Sequence, residues 1–136
     1  MIIGVDAGVL GVTDDRLKAG VYNLVLNSLE ALSKIDRKNK YLLYSFDPIP
    51  KSILDKFDAN WTNLVLRPKK GWLNIRLSVE FLKAKPDIFL GLGQALPFFH
   101  PTKSIVYVYD LAFELYPLFY PDSRKKLSRQ TKFAIK

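Results

Sequence analysis

The chain has no cysteine and a single histidine, His100. Without thiols it can build neither a disulfide framework nor a thiolate metal site, and one imidazole excludes a site made of several histidines. No apolar run reaches the roughly 18 residues that a membrane span needs. The first ten residues, MIIGVDAGVL, lack the basic region and the cleavage site of a signal peptide. We therefore expect a cytoplasmic protein without a metal site, which touches a membrane only peripherally if at all.

The composition predicts one basic globular domain over residues 1–136. Hydrophobic residues make up 49% of the chain, which is enough to build a core. Lysine and arginine number 21 against 13 acidic residues, for a net charge of +8. Such a charge attracts nucleic acid, phosphorylated metabolites or acidic lipid head groups, but a merely solubilising basic surface explains it equally well.

Predicted strands and helices alternate along the whole chain. Apolar runs predict strands at residues 1–5, 41–46, 64–66, 86–93 and 104–109. Helical spacing predicts helices at residues 20–34, 51–57, 72–85 and from the capping pair Asp122 and Ser123 onward. Strands this continuously apolar are typical of a parallel sheet with helices on both sides. The predicted fold is a doubly wound, Rossmann-like α/β domain of three layers, α/β/α.

Two helices have apolar faces that can be assigned from spacing. The face of the first helix is predicted to hold Val21, Leu24, Val25, Leu29 and Leu32. The face of the helix at residues 72–85 is predicted to hold Trp72, Ile75, Val79 and Leu82, broadened by Leu73, Leu77 and Phe81. Each face is expected to pack on the core.

Four segments are expected to meet at one edge of the sheet. In open parallel sheets, ligands bind beyond the carboxyl ends of the strands, near the point where the winding reverses. The loop at residues 6–19, the glycine-containing turn at 91–94, the pair Tyr109 and Asp110, and the helix start at Gly20 all fall there. The candidate catalytic residues are Asp110 and Tyr109. The candidate substrate-binding residues are Gly8, Gly20, Val21, Gly91, Gly93 and Gln94.

Each of these residues has a structural alternative. Asp110 can orient a hydroxyl or accept its proton, but an aspartate that ends a strand often caps the next turn. Gly20 can let a sugar or phosphate approach helical N–H groups, or simply begin the helix. Gly91 and Gly93 can allow close backbone approach with the Gln94 amide nearby, or form an ordinary turn. The dinucleotide motif G-x-G-x-x-G is absent after the first strand.

The last third of the chain adds an aromatic segment and a basic stripe. The aromatic side chains are Phe113, Tyr116, Phe119 and Tyr120, interleaved with Pro117 and Pro121. Packing on the core is the expected role, with stacking on a sugar ring or lipid chain as the alternative. The basic stripe of the last helix comprises Lys125, Arg129, Lys132 and Lys136, backed by Leu127, Thr131, Ala134 and Ile135. It is either a solvated face or a contact for anionic lipid.

Two resemblances to known families appear in the ordered motifs. IIGVDAGVLGVT resembles the first phosphate loop of sugar kinases and actin-like ATPases, but the second strand of their hairpin is missing. GVYNL at the helix start, KPDIFLGLGQALPFF and VYVYDLAFELYPLFYP occur in the order found in the N-terminal domain of family 4 glycosyltransferases. The chain resembles that domain over nearly its whole length. Tyr22 and Asn23 replace the glycine and arginine of the family's helix-start motif, and Tyr109 replaces its histidine.

The glycosyltransferase resemblance implies a function. It implies the acceptor-side half of a two-domain enzyme of the GT-B fold, which transfers a sugar from a nucleotide-sugar donor with retention of configuration and needs no cofactor or metal. Asp110 and Tyr109 would orient the acceptor hydroxyl at the interdomain cleft. The last helix pattern reaches Lys136 without a terminating residue, so a C-terminal donor-binding domain is expected to follow.

The expected partners follow from the same resemblance. They are the missing C-terminal domain, a sugar or lipid-linked acceptor, and in addition the anionic inner face of a membrane; no nucleic acid is expected. The isolated domain would expose apolar interface and could self-associate. The alternative function is a non-catalytic binding module that docks onto anionic lipid or a protein partner.

Overall fold

The computed structural model describes residues 1–18, 20–101, 103–120 and 124–135. The strands are β1 (Ile2–Asp6), β2 (Lys40–Ser45), β3 (Trp61–Val65), β4 (Ile88–Gly91) and β5 (Ser104–Val106). The helices are α1 (Val21–Ile35), α2 (Lys51–Leu54), α3 (Ser78–Lys83), α4 (Ala112–Leu115) and α5 (Arg124–Ala134). A π-helical segment, Trp72–Leu77, leads directly into α3. Three-residue and four-residue 3-10 turns lie at Gly8–Gly11, Asp15–Leu17 and Pro117–Phe119.

The five strands form one sheet in the order β3-β2-β1-β4-β5, and every neighbouring pair is parallel. Parallel neighbours require crossover connections, which the flanking helices supply. The arrangement is consistent with a Rossmann-like fold and confirms the prediction of a parallel α/β sheet. The chain winds outward from β1 to β3 and then returns to β4, so the winding reverses between β1 and β4. That reversal is where open α/β sheets form their binding crevice.

The buried side chains divide into two clusters because neighbouring residues of a strand point to opposite faces. Leu43 belongs to one cluster and its neighbour Tyr44 to the other. The first cluster joins β1 and β2 to α1 and includes Ile3, Val5, Tyr41, Leu43, Val25 and Leu29. The second joins β2 and β4 to the π-helical segment and α3 and includes Tyr44, Phe89, Trp72, Leu77 and Phe81.

The predicted apolar face of α1 is wrong in its first turn. The buried residues of α1 are Tyr22, Val25, Leu29 and Ser33. Val21 and Leu24 are instead 39% and 42% exposed. The spacing of three, four and four from Tyr22 defines one continuous stripe on a helix, so the large Tyr22 ring takes the core position that the two aliphatic residues were predicted to hold.

The face of the helix at residues 72–85 also differs from the prediction. Trp72, Leu77 and Phe81 are buried, whereas Ile75 and Leu82 are 65% and 67% exposed. In a π-helix the hydrogen bonds join residues five apart, so Trp72 and Leu77 fall on the same side. The ordinary helical spacing that selected Ile75 does not apply to this segment.

Several element boundaries are corrected by the structure. β5 ends at Val106 rather than at residue 109, because as an edge strand it has only the four-residue β4 to pair with. β3 begins at Trp61 and α2 ends at Leu54. The predicted cap at Asp122 and Ser123, like Lys136, lies outside the described residues.

Candidate functional site

The carboxyl ends of β1 and β4 lie side by side at the point where the winding reverses. Val5 pairs with Leu90 in the register of the two strands, so the next residues, Asp6 and Gly91, end their strands together. The chain after β4 turns through Gly93 and back over this edge. The candidate site is built on these two strand ends and on the segment that follows β5.

Asp6 lies at the centre of the site and is 9% exposed. Its Oδ1 accepts a hydrogen bond from the Gly8 N–H at 3.2 Å, and the carboxyl also accepts one from the Gly93 N–H. Burial raises the pKa of Asp6 to about 6, although the two N–H groups act in the opposite direction. A carboxyl with this pKa can take up or release a proton near neutral pH.

Positions 8 and 93 lie too close to neighbouring side chains to hold a Cβ atom without a shift of the structure. A Cβ atom on Gly93 would lie 2.8 Å from the Asp6 Oδ2, and one on Gly8 would lie 2.9 Å from the ring of Phe46. Gly91 is closed in similarly, since a Cβ there would lie 2.8 Å from the Ala95 carbonyl oxygen. At both glycines the approaching groups belong to the protein itself, as in the alternative of an ordinary turn; ligand approach to Gly91 and Gly93 stays a prediction.

Gln94 joins the turn after β4 to two other segments. Its backbone is left-handed, with φ of +57°. Its side-chain Nε2 donates to the Asp110 carbonyl oxygen at 3.0 Å and approaches the Thr131 Oγ1 of α5 at 3.4 Å. Gln94 thus links β4 to the segment after β5 and to α5.

Tyr109, in the segment after β5, contacts the turn after β4. Its hydroxyl donates a hydrogen bond to the Leu92 carbonyl oxygen. Burial, followed by the negative charge of Asp6 and by Tyr107, raises the pKa of Tyr109 to about 12. The hydroxyl therefore stays protonated at neutral pH and remains a hydrogen-bond donor.

Asp110 has the structural role that the sequence left open. It is exposed, and its Oδ1 accepts the Ala112 N–H at 2.9 Å, which forms an Asx turn directly before α4. Within the described residues, Oδ2 has no hydrogen-bond partner. A carboxylate held by one oxygen can still accept a hydrogen bond from a ligand hydroxyl through the other.

Gly20 and Val21 lie at the start of α1. Gly20 has a φ of +48°, and a Cβ atom there would meet no atom within 4 Å. Among the described residues, neither Gly20 nor Val21 hydrogen-bonds to the other candidates. Gly8 and Gly93 contact Asp6. Hydrogen bonds from Gln94 to Asp110 and from Tyr109 to Leu92 join the segment after β5 to the turn after β4, which begins at Gly91.

Sequence reasoning missed Asp6 as a site residue. It belongs to the loop at residues 6–19 that is expected at this edge, but it is not among the predicted site residues. Its signal was present, since a carboxylate follows four consecutive core-forming positions directly and precedes a small residue and a glycine. The contact that buries it comes from Gly93, which is far away in the chain.

The aromatic segment after Asp110 packs less than predicted. Phe113 is buried, but Tyr116 and Phe119 are 61% and 82% exposed. Leu115 and Leu118 are also largely exposed. We call Leu115, Tyr116, Leu118 and Phe119 the apolar turn; its side chains are available for a partner, as the alternative interpretation of this segment required.

The basic stripe is exposed where the structure describes it. Lys125, Arg129 and Lys132 of α5 all face solvent. The Lys132 Nζ pairs with the Glu114 Oε1 at 3.1 Å, which ties α5 to α4 beside the apolar turn.

In the described ranges, no group of three or more histidine, cysteine, aspartate or glutamate side chains could hold a metal ion. None of the described helices is long and apolar enough to cross a membrane. Comparison with protein-family models, with curated proteins and with solved structures found no match to this chain.

Proposed function

We propose that this chain is the acceptor-side domain of a retaining glycosyltransferase of the GT-B fold, similar to family 4. The complete enzyme would transfer a sugar from a nucleotide-sugar donor to an acceptor hydroxyl. The observation that carries the proposal is the position of the turn after β4 at the switch point of a parallel sheet, where ligands of such sheets bind. Gln94 and Tyr109 tie this turn to the segment after β5. The two core clusters on either side of the sheet support the three-layer arrangement.

Asp110 is the residue proposed to orient the acceptor. Its Oδ1 is occupied by the Ala112 N–H, which fixes the carboxylate and leaves Oδ2 to accept a hydrogen bond from the reacting hydroxyl. Tyr109 donates to the Leu92 carbonyl, and its oxygen can accept a second hydrogen bond from the acceptor. Gln94 holds the Asp110 backbone in place at 3.0 Å.

Asp6 is proposed to position this surface rather than to contact the sugar. Its carboxyl is buried and interacts with the backbone N–H of Gly93, the residue before Gln94. The exposed backbone of Gly93 lets the acceptor approach the turn. Gly20 and Val21, at the start of α1, are proposed to border the same cleft, and the donor would be bound by a second domain in the cytoplasm or at the inner membrane face.

The test is sugar transfer by the complete gene product. Reading the coding sequence beyond Lys136 is expected to reveal a second α/β unit with paired glutamates. In that polypeptide, Asp110→Ala should lower kcat/KM by about 100-fold, in the range of a lost hydroxyl-orienting or general-base group. Asp55→Ala, which removes an exposed carboxylate at the end of α2, is the matched control. Equal turnover by Asp110→Ala would contradict the assigned role.

The apolar turn favours a second candidate function, a non-catalytic module that docks onto anionic lipid or a protein. Leu118 and Phe119 are 91% and 82% exposed, and the cationic face of α5 lies beside them. Exposed apolar side chains next to basic residues are typical of peripheral membrane binding.

Vesicle sedimentation separates this candidate from the first. The chain should bind vesicles of phosphatidylglycerol and phosphatidylcholine at low salt, and Leu118→Ser with Phe119→Ser should abolish binding. Ile75→Ser, which removes an exposed apolar side chain elsewhere, should leave binding unchanged. Absence of binding to the anionic vesicles at low salt would remove the lipid version of this candidate.

A further inference from the structure

A groove runs between the π-helical segment and α5, on the side of the second core cluster. Two adjoining cavities of about 320 Å³ and 300 Å³ form it, and both are lined by Asn74, Lys126 and Gln130. We call the two together the π–α5 groove. Volumes of this size are in the range of small-molecule sites.

The groove carries positive charge that nothing in the described chain neutralises. Lys126 lines both cavities, Arg129 lines one and Lys69 lines the other, while neither is lined by an aspartate or glutamate. Within the described residues, none of these three cations forms an ion pair. Lys132, on the same helix, is paired with Glu114. The groove therefore has a positive potential.

Lys126 and Arg129 can act on the same ligand group. They are three residues apart on α5, a spacing that places side chains next to one another on a helix surface. Asn74 and Gln130 lie beside them, and neither amide has a hydrogen-bond partner among the described residues. Two cations and two free amides provide several N–H donors at one place, which suits an anion with several oxygen atoms.

The cavity that holds Lys126 and Arg129 also has an apolar lining. Phe98 and Phe133 line it, are 68% and 41% exposed, and meet edge to face with ring centroids 5.9 Å apart. Leu96 forms the buried wall behind them. An apolar or aromatic group placed against the two rings would be removed from water.

We infer that the π–α5 groove binds a small phosphate monoester with an apolar or aromatic body. The phosphate lies at Lys126 and Arg129 with the Asn74 and Gln130 amides, and the body lies against Phe98 and Phe133. A dianionic phosphate matches the several unpaired cations better than a monoanionic carboxylate does. This inference does not depend on the proposed transferase function, because the groove residues are distinct from those around Asp6.

Calorimetric titration of the chain at low ionic strength tests the inference. The probe is octyl phosphate below its micelle-forming concentration, and the comparison ligands are inorganic phosphate, octanoate and octyl glucoside. Octyl phosphate should bind at least about tenfold more tightly than each of the three, the factor expected for losing one charge-assisted or apolar contact. Equal binding of inorganic phosphate would contradict the apolar part, and equal binding of octanoate or octyl glucoside would contradict the phosphate part.

Matched variants locate the site. Arg129→Gln and Lys126→Gln should each weaken octyl phosphate binding by about tenfold, since each removes a charged donor. Phe133→Ser should weaken octyl phosphate but leave inorganic phosphate unchanged. Lys125→Gln makes the same charge change on the same helix but lines neither cavity, so its binding should stay within about twofold of wild type. If Lys125→Gln weakens binding as much as its neighbours do, the attraction is non-specific and the site is not present; thermal unfolding confirms that all variants are folded.

Discussion

Two aspartates lie near the carboxyl edge of the sheet, and their surroundings give them different properties. Asp6, the last residue of the central strand β1, is buried, and its pKa is raised to about 6. Asp110, in the segment that follows the edge strand β5, is exposed, and its Oδ1 accepts the Ala112 N–H. Both carboxylates accept a backbone N–H, so hydrogen bonding alone does not separate them. The difference is one of burial: the carboxyl that ends a central strand is desolvated, and the one beyond the edge strand is not.

The same contrast extends to the strands that carry them. β1 and β4 have a partner on both sides, and Val5 and Phe89 are fully buried. β5 has one partner, and Ile105 is 54% exposed. The central strands therefore hold the site rigidly, while the edge supplies a segment that is open to ligands or partners.

The largest effect is expected from truncating a central residue. Phe89→Ala should lower the free energy of unfolding by about 3 to 5 kcal/mol, because it removes a fully buried aromatic ring and leaves a cavity. Ile105→Ala, in the strand that pairs with β4, should cost less than about 1 kcal/mol, because its side chain is already half in water. Urea denaturation of both variants measures the difference. If both variants lose a similar free energy of unfolding, the Ile105 side chain is buried in solution, and the contrast between central and edge strands is wrong.

The next effect is a pH dependence caused by Asp6. Its folded pKa of about 6 is above the ordinary value of 3.8, so between these values the folded chain binds more protons than the unfolded chain. Stability from this group is therefore present below about pH 4 and is lost as the pH rises through about 6. The loss amounts to at most about 3 kcal/mol.

Comparison with Asp6→Asn isolates this contribution. The free energy of unfolding of wild type minus that of Asp6→Asn should fall between about pH 4 and pH 6 and stay level above that range. The other carboxyl groups contribute the same pH dependence to both proteins, so their contribution cancels in this difference. A difference that rises with pH would mean that the carboxyl is stabilised in its charged form and is not desolvated.

A smaller effect is expected at Gly93. Gly93→Ala places a Cβ atom 2.8 Å from the Asp6 Oδ2, so the turn after β4 must shift, at a cost of about 1 to 3 kcal/mol. The shift should also move the Gln94 and Asp110 amide resonances in an NMR spectrum. Gly20→Ala is the comparison, because a Cβ there meets no atom within 4 Å and only the backbone conformation resists it. Unchanged Gln94 and Asp110 resonances in Gly93→Ala would contradict the link through Gln94.

Much of the sheet could be predicted from the sequence because its signals are local. Continuous apolar runs such as the one at Tyr41 and Leu43 indicated buried parallel strands, and all five strands exist. The helix faces were less predictable. The π-helical segment changes which residues share a side, so the spacing rules for an α-helix place Ile75 on the buried face although it is 65% exposed.

The sequence predicts at which edge of the sheet the candidate residues lie, but it does not predict that Asp6 is buried among them. Asp110 and Gln94 follow strands, so the parallel topology alone brings them to the same edge. The burial of Asp6 depends on Gly93, 87 residues later in the chain, and no local pattern encodes that contact. The exposure of Leu118 and Phe119 was missed for a similar reason, since an aromatic segment gives no local sign of whether the core reaches it.

The most direct test of the central account is an NMR titration of the chain with a short acceptor-type sugar such as a methyl glucoside. The amide signals of Gly93, Gln94 and Asp110 are predicted to shift together and saturably, because the acceptor contacts the turn after β4 and the Asp110 carboxylate. The Asp110→Ala variant should weaken the response. If sugars leave these three signals unchanged, or shift only residues away from the carboxyl edge of β1 and β4, the edge around Asp6 is not an acceptor site.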